Sequence, residues 1–154
     1  YGLQTWTKAM NPDTSNSKVI EVYSKQFDWT ARYSGDDNTL GKANYKLVQG
    51  RNQLGVDLSD ENAQDDIVVR EVHLIKDEPV LLKFRSRDVI HSAYLPHFRV
   101  QMNCVPGMTT QFAFTPTKTT AKMRETEGED FDYILLCNKI CGVAHYNMQM
   151  KIIG

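Results

Sequence analysis

The sequence has few cysteines, no long apolar run and no excess of charge of either sign. Three cysteines among 154 residues are too few, and odd in number, for a disulfide framework. No stretch approaches the roughly 20 apolar residues that span a bilayer. With 18 Lys and Arg against 19 Asp and Glu, no basic surplus indicates nucleic-acid binding. What remains is the composition and length of one globular domain.

Persuasive amphipathic helices are also missing, whereas two-residue alternation recurs along the chain. Apolar and polar residues alternate at 27–33, 80–85 and 98–104, which is typical of half-buried strands. Further strands are predicted at 67–75, 112–114, 133–136 and 148–152. Residues 40–66 and 117–130 are polar and predict irregular connections. Many short strands separated by turn residues predict an all-β fold, either a sandwich or a barrel.

The strongest chemical signal lies between the last two predicted strands. Cys137, Cys141, His145 and Met148 place two thiols, an imidazole and a thioether close together, and soft or borderline metals prefer these ligands. A C-x-x-C zinc site has two residues between its thiols and usually a second pair, and this chain offers neither. A blue-copper site has the same Cys–His–Met order with one cysteine fewer. Because an added thiolate can bridge two ions, the segment predicts a copper pair.

A copper pair with two bridging sulfurs needs a second imidazole, and three other histidines are available. His91 follows a strand-like segment and precedes a loop, so it can turn toward another loop and is our predicted ligand. His73 lies inside a predicted strand, and His97 follows Pro96 into one, so we expect neither to bind metal directly. Taken singly, each feature has a simpler explanation, such as a disulfide or two buried thiols for the cysteine pair. Taken together, the features favour metal binding.

This pattern closely resembles the CuA domain of subunit II of the haem–copper cytochrome c oxidases. The matching motifs are Cys137-x3-Cys141-x3-His145-x2-Met148, Asp88-Val89-Ile90-His91-Ser92 with Pro96, Val105-Pro106-Gly107 and Gln26-Phe27-x-Trp29. The resemblance runs from about Val19 to the C-terminus and implies a cupredoxin-like Greek-key β-sandwich over residues 18–154. Residues 1–17 are expected to be a leader or linker following a membrane anchor that is missing here, because the sequence begins with Tyr rather than Met.

The resemblance also implies a binuclear copper centre and a role in respiration. The implied ligands are Cys137 and Cys141 bridging both ions, His91 with Met148 on one copper, and His145 with the backbone carbonyl of Lys139 on the other. In the family this centre takes single electrons from cytochrome c and passes them to a haem in subunit I, where oxygen is reduced. The chain is therefore expected to be an electron carrier within an oxygen-reducing, proton-translocating enzyme. Its expected location is the periplasmic face of the bacterial inner membrane.

Two positions depart from the usual pattern of the family. Lys139 stands where the family usually has a Glu whose carboxylate helps to bind magnesium or manganese, so a conventional site for that ion is not expected. Phe27 stands where the family usually has an exposed Trp used for electron input. Phe27 and Trp29 are the candidates for electron input or partner contact, and Trp29 also fits a core position. Cys104 shares the inward face of a predicted strand and is expected to be an inert thiol.

The expected donor is cytochrome c or a cytochrome tethered within a larger complex. Because such donors are commonly basic, acidic residues are candidates for steering the encounter. They are Asp36, Asp37, Asp60, Glu61, Asp65 and Asp66, for which a solvated loop is the simpler interpretation. Alternative functions are the CuA domain of a nitrous-oxide reductase, a copper-free binding module related to quinol oxidases, and a structural zinc site. The first would need a large upstream domain, and the second would lack the ligands found here.

Overall fold

The computed structural model describes residues 1–154 and contains ten strands and two α-helices. The strands are β1 Lys18–Lys25, β2 Asp28–Tyr33, β3 Ile67–Val69, β4 Val72–His73, β5 Val80–Ser86, β6 His91–Leu95, β7 Val100–Cys104, β8 Thr110–Phe114, β9 Tyr133–Cys137 and β10 Gln149–Ile153. The helices are α1 Gly2–Met10 and α2 Thr120–Glu127. Short 3-10 turns lie at Tyr45–Leu47, Glu61–Ala63, Pro96–Phe98 and His145–Asn147. No helix has the combined length and hydropathy of a membrane span.

The strands form two five-stranded sheets that pack face to face. One sheet has the order β3-β2-β1-β5-β8, and the other has the order β4-β10-β9-β6-β7. Pairing is antiparallel except between β1 and β5 and between β4 and β10. The chain crosses between the sheets after β3, β4, β5, β7 and β8, so both sheets contribute loops to each end of the molecule. The predicted all-β sandwich is therefore confirmed.

The main core fills the space between the sheets. Inward-facing residues alternate along each strand, as in Val80, Leu82 and Phe84 of β5, of which none is more than 3% exposed. Leu95 and Leu135 from the facing sheet are 0% and 1% exposed and belong to the same cluster. Sequence alternation therefore identified the inner faces, because a half-buried strand must present every second side chain to the core.

The long connection between β2 and β3 covers the outer face of the first sheet. Leu54, Val56 and Ala63 from this connection pack on Tyr23 of β1 and form a second small core. Beside it, Arg32 donates to Glu21 at 3.1 Å and to Asp66 at 3.0 Å, with all three side chains almost fully buried. The connection is irregular as predicted, and it is attached to the sheet by apolar contacts and buried ion pairs.

Three sequence-based expectations about local structure were wrong. Helix α1 occupies most of the predicted leader, and α2 lies inside the polar segment 117–130. α2 begins after Thr119, whose hydroxyl accepts from Lys122 N–H, and ends before Gly128, so its caps define it rather than an apolar stripe. The predicted strand at 67–75 is divided at residues 70 and 71 because β3 pairs with β2, whereas β4 pairs with β10 in the other sheet.

Candidate metal centre

Strand direction assigns every loop to one of two ends of the sandwich. We call one of them the ligand end, formed by residues 26–27, 87–90, 105–109 and 138–148. The other, called the opposite end, is formed by residues 34–39, 65–66, 76–79, 96–99 and 115–132. Cys137 is the last residue of β9, and His91 is the first residue of the neighbouring strand β6. The pairing of β6 with β9 therefore places these two residues close together at the ligand end.

The two cysteines of the ligand loop face each other without forming a disulfide. Their Sγ atoms are 3.7 Å apart, which is far beyond the roughly 2.05 Å of an S–S bond. Both thiols are free and buried, so the disulfide explanation of this pair is wrong. Ligand atoms of His91, Cys137 and Cys141 all lie within 4.8 Å of one another. This spacing leaves room for metal between the side chains.

Four further donors surround the thiol pair. His91 Nδ1 is 3.9 Å from Cys137 Sγ, and His145 Nδ1 is 3.7 Å from Cys141 Sγ. Met148 Sδ lies 3.9 Å from Cys141 Sγ, and the carbonyl oxygen of Lys139 lies 3.3 Å from Cys137 Sγ. The geometry thus brings together all six groups selected in the sequence, with an imidazole on each side of the sulfur pair.

Burial favours the protonated form of the Cys141 and Cys104 thiols. Burial, together with the adjacent Cys137, raises the pKa of Cys141 to about 11. Burial raises the pKa of Cys104 to about 12, and this residue pairs with His91 across the β6–β7 ladder without reaching the ligand loop. Since metals bind thiolates, metal uptake must release protons from the thiols. Metal binding therefore drives the deprotonation that burial opposes.

Asp88 is the residue whose role sequence reasoning did not identify. His91 Nε2 lies 2.8 Å from Asp88 Oδ1, so this carboxylate fixes the ring with Nδ1 toward the sulfurs. The backbone N–H groups of Gln26 and Val89 each donate to the same carboxylate at 2.7 Å. Although burial opposes ionisation, these N–H groups and the His91 ring hold the pKa of Asp88 below its usual value. An acid three residues before the histidine was the available signal.

The two aromatic candidates occupy different environments. Trp29 is 1% exposed, and its Nε1 donates to the carbonyl of Met148 at 3.3 Å. Trp29 therefore supports the ligand loop from inside the core, where its ring presents almost no surface. Phe27 is 37% exposed and lies against Gly142, where an added Cβ would come within 2.6 Å of the Phe27 ring. Phe27 is thus the surface aromatic that touches the ligand loop.

The remaining histidines lie at or near the opposite end. His73 ends β4 and sits 3.0 Å from Glu71 Oε1 with its side chain largely exposed. His97 packs edge to face on Phe131 and Tyr133. Neither ring reaches the thiol pair, because both belong to residues near the strand termini that are remote from Cys137.

The fold places the acidic docking candidates in different settings. Asp36 and Asp37 donate their N–H groups to Asp65, and all three follow or precede strand residues at the opposite end. The β2 strand separates them from Phe27 by about 17 Å along its axis. Of the other candidates, Asp66 is buried against Arg32, Asp60 accepts backbone N–H groups of Lys42 and Asn62, and Glu61 is exposed within the long connection.

The fold and the site together define a class of protein. A two-sheet sandwich carries buried thiol, imidazole and thioether ligands at one end, as expected of a cupredoxin-like metal-binding domain. The family model for the periplasmic domain of cytochrome c oxidase subunit II matches residues 18–153. The chain belongs to this family. The family assignment agrees with the resemblance seen in the sequence and does not favour the nitrous-oxide reductase alternative.

Individual relatives agree with this assignment. The chain is 34% identical over 154 residues to the alternative cytochrome c oxidase subunit 2 of Bradyrhizobium diazoefficiens, covering 99% of this chain and 51% of that protein. It is 33% identical over 88 residues to cytochrome c oxidase subunit 2 of Thermostichus vulcanus, covering 56% of this chain and 23% of that protein. The chain thus spans about half the length of the first of these relatives, and its match covers a smaller share of the second.

Solved structures support the same fold. The periplasmic domain of subunit II of cytochrome oxidase from Bradyrhizobium japonicum matches with a TM-score of 0.58 and 22% identity, covering 90% of this chain and 84% of that one. A chain of a haem–copper terminal oxidase dimer matches with a TM-score of 0.52 and 15% identity, covering 92% and 67%. These similarities confirm a cupredoxin-like sandwich.

Proposed function

We propose that this chain is the electron-transfer domain of a respiratory haem–copper oxidase, holding a binuclear CuA centre. The observation that carries the proposal is the pair of free thiols 3.7 Å apart, with one imidazole Nδ1 beside each sulfur. When bound, the copper pair supplies reversible one-electron chemistry. The chain is accordingly a carrier, and oxygen reduction belongs to the rest of the enzyme.

The proposed ligand set uses every donor of the site. Cys137 and Cys141 would be the thiolate ligands shared by the copper pair, His91 and Met148 would be further ligands of one ion, and His145 with the carbonyl of Lys139 would be those of the other. The chemistry of the donors supports this choice, because thiolate, imidazole and thioether groups suit copper. The set also exceeds what a four-coordinate structural zinc site requires. Burial of both sulfurs excludes water from the centre.

The side chains around the centre hold it in one geometry. Asp88 orients His91, and Trp29 Nε1 fixes the carbonyl of Met148. Gln26 Nε2 donates to the carbonyl of Cys141 at 2.5 Å, which ties the β1–β2 turn to the ligand loop. Ligands fixed before metal binds need little rearrangement when an electron arrives or leaves. Rigid positioning of this kind favours fast electron transfer.

We propose the partners and the location on the basis of the resemblance to the family. The donor is cytochrome c or a tethered cytochrome, the acceptor is a haem of oxidase subunit I, and Phe27 is the input residue. The domain works at the outer face of an energy-transducing membrane, which in bacteria is the periplasmic face. We expect residues 1–17 to be the linker between a membrane anchor and the domain at residues 18–154. Lys139 offers an ammonium group where a carboxylate would be needed, so no magnesium or manganese ion binds through this side chain.

Copper reconstitution tests this function directly. The chain is loaded with copper, its metal content is measured, and its optical and electron paramagnetic resonance spectra are recorded. We expect two coppers per chain and a purple mixed-valence centre whose single unpaired electron is shared by both ions. One copper per chain, a spectrum of localised Cu(II), or a preference for zinc over copper would contradict the proposal.

A further inference from the structure

Three basic side chains at the ligand end have no acidic partner. Lys25 ends β1 next to Phe27, Arg87 lies in the loop between β5 and β6, and Lys139 lies in the ligand loop. None of the three comes within 4.0 Å of a carboxylate oxygen. Arg87 and Lys139 are exposed, and Lys25 is half-buried. Their charges are therefore available to a molecule that approaches this end.

The acidic residues at the same end do not cancel these charges. Asp88 is 29% exposed at its side chain, and its carboxylate accepts hydrogen bonds from Gln26, Val89 and His91. Asp28 faces the exposed Arg70 at 3.8 Å, so this pair contributes no net charge. Three free cations thus stand against one hydrogen-bonded carboxylate, and the ligand end is positive.

An apolar surface lies at the same end as these cations. Ile140, Val143 and Tyr146 of the ligand loop are 88%, 94% and 87% exposed, and Phe27 lies beside them against Gly142. Exposed apolar and aromatic side chains inside a charged rim are typical of protein docking sites. These residues flank His145 and Cys141, so a molecule docked here would lie close to the metal ligands.

The opposite end carries the reverse charge. Its exposed acidic residues include Asp36, Asp37, Asp77, Glu78, Glu127, Glu129 and Asp130. Its exposed cations are fewer, and some of them are already paired, such as Lys76 with Asp77 at 3.2 Å and Lys122 with Glu125 at 2.5 Å. Positive and negative surface charge are therefore separated along the strand axis, although the net charge of the chain is only −1. An anionic surface would be attracted to the ligand end and repelled from the opposite end.

We propose that the ligand end docks its electron donor through an acidic surface on the donor, not through the basic surface that is common among cytochromes c. The proposal rests on the electron-transfer function above and specifies the partner class for the same site. Lys25 and Arg87 attract the donor, and Phe27, Val143 and Tyr146 form the apolar contact. An anionic lipid surface would meet the same charges, but it would cover the ligand loop and shut out every protein carrier.

Binding of two haem proteins of opposite charge tests the proposal. The isotope-labelled chain is titrated at low ionic strength with cytochrome b5 as the acidic probe and mitochondrial cytochrome c as the basic probe, and amide chemical shifts are followed. We expect the acidic probe to shift residues of the ligand end, with an affinity that falls as salt is added. Copper-loaded chain should also exchange electrons faster with the acidic probe.

Charge reversal at matched positions isolates the cause. Lys25→Glu should weaken the acidic probe's binding by on the order of fivefold and reduce its salt dependence. Lys118→Glu is the control, because Lys118 is an exposed cation at the opposite end that makes no ion pair, and it should leave the affinity unchanged. Tighter binding of the basic probe at the ligand end would overturn the proposal, as would equal effects of the two variants.

Two further outcomes separate this proposal from its alternatives. If vesicles of anionic phospholipid bind through the ligand end while neither haem protein does, the surface is a membrane contact and the donor assignment is wrong. If the chain takes up copper and exchanges electrons but prefers the basic protein, only the present proposal fails. If it takes up no copper at all, the electron-transfer function fails and the donor assignment fails with it.

Discussion

The ligand end and the opposite end of the sandwich are built from the same ten strands and differ in almost every chemical property. The ligand end has buried sulfur and imidazole donors, an apolar surface and unpaired cations. The opposite end has polar loops, a capped helix and a surplus of carboxylates. The comparison shows that the sandwich fold does not by itself determine function. The loop sequences at one end determine the chemistry.

Removing one of the two proposed bridging thiols at the ligand end should have the largest effect on the metal centre. Cys141→Ser takes away a soft ligand shared by both proposed coppers, so we expect loss of the two-copper centre and of its shared-electron spectrum. Metal analysis and electron paramagnetic resonance measure the result. Cys104→Ala is the matched control, because Cys104 is buried outside the ligand loop and its removal should leave two coppers bound. Retention of the spectrum in Cys141→Ser would refute the ligand assignment.

Releasing the His91 ring should have the next largest effect. Asp88→Asn keeps the shape of the side chain but removes the charge that orients Nε2, and loss of such a partner typically lowers metal affinity about 10- to 100-fold. Competition with a copper chelator gives the affinity. Asp36→Asn removes an exposed carboxylate at the opposite end and should change nothing. An equal loss in both variants would show that net charge, not the hydrogen bond, is responsible.

A smaller effect is expected from the thioether. Met148→Leu preserves volume in a buried position and removes a weak donor, so copper should stay bound while the reduction potential rises by tens of millivolts. Redox titration of the loaded chain measures the shift. Met150→Leu tests the same substitution two residues along, in the core and away from the thiols, and should leave the potential constant. A shift of equal size in both variants would indicate a packing effect.

The smallest effect is expected at the remote histidine. His73 is exposed beside Glu71 and does not reach the sulfurs, so His73→Ala should leave copper content and spectrum unchanged. His91→Ala is the informative counterpart and should disrupt the centre. The reverse outcome, with copper binding lost only in His73→Ala, would mean that the wrong imidazole was assigned.

The sequence singled out side chains that the structure brings together, because most of them are close neighbours in the chain. Cys137, Cys141, His145 and Met148 are neighbours in the chain, and a loop between two paired strands necessarily brings them together. His91 was found because only four histidines exist and only one could turn toward that loop. The alternation of apolar residues predicted most strands for the same reason: burial on one face is a property of the strand itself.

The rest depended on tertiary structure that local patterns do not encode. Trp29 and Phe27 are two residues apart, yet one supports the ligand loop from the core and the other is on the surface. Acidic residues at both ends of the long connection were candidates for docking. Their sequence does not show at which end of the sandwich the connection starts and finishes. Helix α2 was missed because its cap and its glycine, not apolar periodicity, determine it. Pairing between distant segments decided each of these cases.

The buried contact between Arg32 and Asp66 has a consequence for how the molecule breaks down. It joins a strand of the sheet to the far end of a connection more than thirty residues long, across a layer that also contains Leu54 and Val56. Breaking such a pair by removing one partner costs about 3–5 kcal/mol, so this connection cannot open alone at low cost. The segment that looks most like a protease-sensitive loop should therefore resist cleavage until the sandwich itself unfolds.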